Sequence, residues 1–402
     1  MALTSRRLLT PTPNAVSRRL FLRGVGVGGL ALAGSGLLSA CGTAGTATQS
    51  SGDCVSEDLS VDEKVLNFSN WPLYIDVSED EQSRPTLEAF EQHSGIKVTY
   101  TEDVNDNAEF FGKVRNQLAA CQSTERDLFV LTDYMAARMV GFGWIQELDK
   151  KNLPTVEANL LDNLRSPSWD KERNYSVPWQ SGLTGIAYNS AAIGEIGSID
   201  QMLTDPELRG KITFLSELQD TMVFMLLHAG KDPENFTDED FQLGLDTLQM
   251  AVDSGQFRAF TGNEYAQDLV QGNIVAAMAW SGDVIQLQFE NPDIKFVAPE
   301  EGLSLWSDNM IVPNKATHKA NAEALMDHYY DPAVAAELAA WVNYICPVAG
   351  AQDEMVNIDP ELAENPLIFP TNELLANAHG FMELDEDQDK KYSDWFNQVI
   401  GA

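Results

Sequence analysis

Trp306 and Asp308 stand two residues apart in the run EGLSLWSDNMIVPNKA, just ahead of the apolar stretch Met310-Ile311-Val312. On an extended segment, side chains two apart point to one side. An indole face and a carboxylate therefore share one space. That pair suits a ligand that is cationic and partly apolar, because a ring face attracts cations and a carboxylate pairs with them. Similar residues recur after other short apolar runs. Trp71 follows Val65-Leu66-Asn67-Phe68, Tyr134 follows Asp127-Leu128-Phe129-Val130-Leu131, and Trp280 and Asp283 follow the run 274–279. Catalytic patterns are missing. HExxH does not occur, GxSxG does not occur beyond the N-terminal region, and the five histidines form no spaced cluster. The chemistry on offer is binding, and the expected protein is not an enzyme.

Periodicity supplies the elements that must carry these residues. Strands are expected at 65–68, 96–100, 127–131, 211–215 and 274–279. Residues 175–189 read as two strand-like runs joined at Gly182. Helices are expected at 84–93, 107–120, 135–141, 220–229, 238–253, 265–271, 319–327, 333–340 and 389–400. The β-α-β-α order predicts an α/β fold with mostly parallel sheets covered by helices. Ligands then sit beyond the carboxyl ends of the strands, where Trp71 and Tyr134 fall.

Charge narrows the ligand. The chain holds 26 Lys plus Arg against 61 Asp plus Glu, so nucleic acid is excluded as a partner. Such a field draws cations, although solubility or adaptation to salt accounts for most of it. Asp103, Asp106 and the acidic run 383–389 read as solvated faces. Trp144, Trp169, Trp341 and Trp395 read as structural. No CxxC occurs, and no metal or other cofactor is expected.

The first forty residues are not fold. Arg18 and Arg19 ahead of a short apolar region resemble a Tat-type export signal, and Leu38-Ser39-Ala40-Cys41 resembles a bacterial lipobox. The alternative is a transmembrane anchor, for which the stretch is short and glycine-rich. The resemblance makes 1–40 a signal segment, Cys41 a lipidated residue, and 41–60 a flexible tether. It implies export and lipid anchoring at the outer face of the cell membrane. About 340 residues remain, which is typical of two lobes rather than one core.

Eight motifs then occur in order: NWPLYI, LTDY, YSVPW, GIAYN, SELQDTM, AWSGD, LWSDNMIVP and NYICPV. Together they resemble the spermidine/putrescine-binding proteins of bacterial ABC importers. The resemblance implies a two-lobed, type II periplasmic-binding-protein-like fold with the ligand between the lobes. It implies a polyamine ligand, no cofactor, and an ABC permease and its ATPase as partners. Lobe 1 is expected at 61–182 plus 307–353 and lobe 2 at 183–306 plus 354–402, with hinge crossings near Gly182, Ser307 and Asp353. Carried over by position, the ligand set is Trp71, Tyr74, Thr132, Tyr134, Glu217, Asp220, Trp280, Trp306, Asp308 and Tyr344. Read on their own, Asp220 could be a helix first-turn acid, Glu217 a surface ion-pair partner, and Asp283 a loop or cap residue. Where spermidine binders place a glutamine near the C-terminus, this chain has Met382. Because Cys346 lies in NYICPV beside the implied cleft, Cys54–Cys121 is the disulfide expected of an exported protein. A quaternary amine, a sugar or a ferric ion remains the alternative ligand; Tyr329-Tyr330 is the pair that iron would need.

Overall fold

The computed structural model describes residues 54, 56–78, 82–104 and 106–401. The signal segment 1–40, Cys41 and the first part of the tether lie outside the described residues. The strands are β1 (Val65–Asn70), β2 (Lys97–Glu102), β3 (Leu128–Thr132), β4 (Val177–Asn189), β5 (Ile212–Leu215), β6 (Phe257–Thr261), β7 (Ala276–Trp280), β8 (Ile294–Val297), β9 (Leu303–Ile311) and β10 (Ala378–His379). They form one hydrogen-bonded sheet in the order β2-β1-β3-β9-β4-β7-β5-β6, with β10 on β9 and β8 on β4. The outer pairs β1–β2, β1–β3, β5–β6 and β5–β7 run parallel, as expected. The central run β3–β9–β4–β7 is antiparallel, because β4 and β9 are long return strands between the two parallel sets.

Two large cores flank this pair. One joins β1 and β3 to the helices Lys319–His328, Pro332–Val342 and Ala351–Ile358. The other joins the second half of β4 and strands β5 and β7 to the helices Leu218–His228, Asp238–Asp253 and Glu386–Ile400. Helix ends follow local chemistry. The helix Pro85–Ser94 starts on proline and stops at Gly95, whose φ of 73° is the left-handed conformation glycine tolerates. The helix Asn107–Ala119 starts at Asp106, whose side chain accepts from the Glu109 N–H.

Several expectations are corrected. Residues 177–189 form a single strand through Gly182, not two. Strands β6 and β8 and the helix Ser281–Glu290 were not foreseen. The end of the expected tether belongs to the fold: Ser60 is buried, its Oγ accepts from the Asn321 N–H at 3.1 Å, and Asp58 accepts from the Ala320 N–H at 3.2 Å. Cys54 is bonded to Cys121 across a sequence separation of 67 residues, and Cys346 is buried and free. Closing a loop of that length stabilises the fold by about 4 kcal/mol through the unfolded chain. Reduction, or Cys54→Ser, is expected to lower the melting temperature by several degrees, read by thermal denaturation with and without reductant.

Candidate functional site

β3, β9 and β4 bring Thr132, Asp308 and Gln180 side by side, since Asp308 pairs in register with both of the others. Thr132 Oγ1 donates to Asp308 Oδ1 at 2.7 Å. Asn107, at the start of its helix, holds Thr132: its Nδ2 donates to Thr132 Oγ1 at 2.9 Å and its Oδ1 accepts from the Thr132 N–H at 3.1 Å. Asp308 is only 4 % exposed. Burial pushes its carboxyl up to about 7, Asp133 and Asp220 push the same way, and Thr132 and Tyr74 resist. The buried Tyr74 hydroxyl faces Asp308 without a hydrogen bond of good geometry.

An arc of rings leads away from this carboxylate. Ring centroids are 5.3 Å apart for Tyr74 and Tyr344, 5.6 Å for Tyr344 and Trp306, and 6.5 Å for Trp306 and Trp280. The Trp306 indole N–H donates to Thr184 Oγ1 at 3.0 Å. Thr184 in turn donates to Asp220, which also accepts the Trp280 indole N–H at 3.2 Å. Asp220 is thus more than a helix first-turn acid, for its carboxylate is turned toward side chains of the arc. Glu217 is buried rather than paired on the surface, and accepts from the Tyr134 hydroxyl at 3.2 Å.

Asp283 is more than a loop or cap residue. It stands in the first turn of the helix Ser281–Glu290, but its carboxylate takes three side-chain donors: Tyr344 at 2.9 Å, Tyr265 at 2.7 Å and Asn263 at 2.9 Å. Its place directly behind Trp280 was the signal in the sequence. Asp103 and Asp106 are also corrected. Asp103 is half-buried against Arg126, and Asp106 caps its helix with its charge turned toward Glu217.

Burial is the largest cause raising the carboxyl groups of Asp308, Asp220, Glu217 and Asp283. Among the described residues, no lysine, arginine or histidine forms an ion pair with any of the four. Buried Arg173 spends its donors on Leu164 O, Ser176 Oγ and Asn309 Oδ1. A set of buried carboxylates with no cation of the protein's own is costly until a cation arrives.

The Trp71 indole N–H donates to Val130 O at 3.1 Å, and its ring packs against the same core as Trp280 and Trp306, the core that holds Tyr74 and Tyr344. Met382 packs on the second core, and its backbone N–H donates to Pro233 O. Tyr329 and Tyr330 are spent in the core, on Thr86 and on Pro178 O.

Two glycines let the rings lie where they do. Gly182 pairs with Trp306 in register, and a Cβ there would lie 2.2 Å from the indole. At Gly282 a Cβ would lie 2.5 Å from the Tyr344 ring. The role of Gly182 is therefore close approach of a ring and not a break between strands. Gly182→Ala is expected to push Trp306 off its seat, at about 1–3 kcal/mol of strain. It should weaken ligand binding at least tenfold and shift tryptophan emission, measured by titration and fluorescence.

A mixed sheet with two cores, crossed by long return strands that carry an acidic aromatic cluster, defines a solute-binding protein of the type II periplasmic-binding-protein fold. The model of the bacterial extracellular solute-binding protein family matches residues 86–371, and the chain belongs to that family. Among its relatives, the putrescine-binding periplasmic protein PotF of Escherichia coli is 29% identical over 338 residues, covering 79% of this chain and 86% of that protein. The spermidine/putrescine-binding periplasmic protein 1 of Haemophilus influenzae is 26% identical over 294 residues, covering 73% and 79%. A putative spermidine/putrescine ABC transporter structure from Listeria monocytogenes superposes with a TM-score of 0.73 at 25% identity, covering 84% of this chain and 99% of that one.

Proposed function

We propose that the protein captures a polyamine of the putrescine or spermidine type outside the cytoplasm and delivers it to an ABC importer without altering it. The observation that carries this reading is the buried carboxylate set around an aromatic arc, with no cation among the described residues paired to it. A polyamine is a methylene chain with ammonium groups. Its methylenes gain from burial against indole faces, and its ammoniums gain roughly 1.5–3 kcal/mol per charge-assisted hydrogen bond. Three or four such contacts, after the costs of ordering, fit affinity in the micromolar range, about −8 kcal/mol.

Trp280, Trp306, Tyr74 and Tyr344 cover the methylenes, while Asp308, Asp220 and Glu217 hold amines, supported by Thr132 and Tyr134. Trp71 bounds the site from the core edge. Two lobes close on the ligand where β4 and β9 pass between the cores, near Gly182 and Ser307. We take the third passage to lie beyond Asp353, a reading supported by Met355 and Ile368 in the first core. Cys41 carries the lipid that ties the receptor to the outer face of the membrane, and the closed form docks on a permease driven by its ATPase.

Isothermal titration of residues 54–402 with putrescine, spermidine, spermine, glycine betaine and maltose tests the reading. Micromolar binding of a polyamine is expected. Silence toward every polyamine, with a response to betaine or maltose, overturns it.

A further inference from the structure

Alternate residues of β4 turn one face to the site. Thr184 is bonded to Trp306 and Asp220, and Gly182 lies under the Trp306 ring. Gln180 is the next residue on that face. It stands opposite Asp308 in the β4–β9 register, with Thr132 on the far side of Asp308. Gln180 is 1 % exposed, and its Oε1 has no hydrogen-bond partner among the described residues. The Tyr74 hydroxyl, also buried and beside Asp308, has none either. Two unpaired polar atoms at one buried carboxylate are costly, and each such atom in a folded protein calls for a reason.

We propose that Gln180 is a further ligand-binding residue, whose side-chain carbonyl joins Asp308 and the Tyr74 hydroxyl in accepting the three N–H bonds of one primary ammonium group. The inference rests on the polyamine reading above and refines it. A primary ammonium has three donors and no acceptor, so it needs three acceptors around it. Asp308 alone balances its charge but leaves donors to be satisfied. Gln180 and Tyr74 complete the set and lose their own deficit at once. A quaternary ammonium has no N–H to give and leaves both atoms unpaired. The pole therefore selects against N-methylation while tolerating different chain lengths beyond it.

Gln180→Met keeps the length of the side chain and removes the acceptor. It is titrated, beside the unchanged protein, with putrescine and with N,N′-dimethylputrescine, which lacks one N–H at each end. The unchanged protein is expected to prefer putrescine. Gln180→Met is expected to bind putrescine about 10- to 100-fold more weakly and to lose most of the preference. Gln180→Leu, which also lacks the acceptor, serves if the methionine variant fails to fold. Circular-dichroism melts read folding in both. Putrescine affinity within twofold of the unchanged protein in Gln180→Met, or full discrimination retained there, overturns the assignment while leaving the polyamine reading intact. If the unchanged protein binds no amine at all, both fall together.

Discussion

Asp308→Asn is expected to cost polyamine affinity at least a hundredfold and, in the same protein without ligand, to raise stability above neutral pH. The two effects have one cause. Asp308 is buried beside Thr132, Tyr74 and Gln180, with no basic partner among the described residues. Its carboxyl stands at about 7 against an ordinary value near 4, and burial is the main reason. Between those two values the folded chain binds a proton that the unfolded chain has released. Stability therefore falls as pH rises through that window, and the loss is complete above about 7, where it amounts to a few kcal/mol. Asparagine has no charge to bury and can still accept from Thr132, so it escapes that cost. It also cannot balance an ammonium. Leaving a buried ligand charge unpaired costs roughly 3–5 kcal/mol, which is the hundredfold or more in affinity. Titration with putrescine and thermal melts at pH 5 and pH 8 read both effects. If the ligand-free molecule opens and rehydrates Asp308, the stability gain at pH 8 disappears while the affinity loss stays. Affinity within tenfold of the unchanged protein contradicts the assignment of Asp308 to an amine.

The sequence made some of this site legible and hid the rest for physical reasons. Trp306 and Asp308 were readable together because strand periodicity puts them on one face, and both are found at the Tyr74–Tyr344 pair. The helix at 238–253 was readable because its amphipathic pattern and the Thr237–Asp240 capping box are local. Gly182 was misread because glycine in a strand run also marks a break, and only its pairing with Trp306 shows which meaning holds. Asp283 and Asp106 were misread because their partners, Tyr265 with Tyr344 and Glu217, come from distant segments. β6 is hidden because its short run FRAFT sets Phe257 and Phe260 three apart, off the period of two that marks a strand. Gln180 carries no signal at all in isolation. Its meaning comes from standing opposite Asp308 across a bulged strand pair.

Polyamine binding is expected to weaken as pH falls through about 7, approaching tenfold per pH unit further down. The ligand does not set this profile, because alkyl ammoniums of the lysine type stay charged throughout the range. The receptor does. To pair with an ammonium Asp308 must be ionised, whereas at pH 6 its carboxyl, raised to about 7 by burial, is mostly protonated in the ligand-free fold. Binding at pH 6 therefore expels about one proton from this group, and each expelled proton makes the logarithm of affinity fall one unit per pH unit. Asp220 and Glu217 are also raised by burial, with Asp106 adding to Glu217, so ionising them against an amine acts in the same direction. Titration calorimetry at pH 6 in buffers of different ionisation enthalpy counts the protons directly. Asp308→Asn should remove one proton from that count and flatten the remaining profile by one unit of slope. An affinity constant from pH 5.5 to pH 8, with no proton release, would mean that the carboxylates are already ionised and hydrated before the ligand arrives. The amine would then meet an open, wet site, and burial of the acids would follow from closure on the ligand.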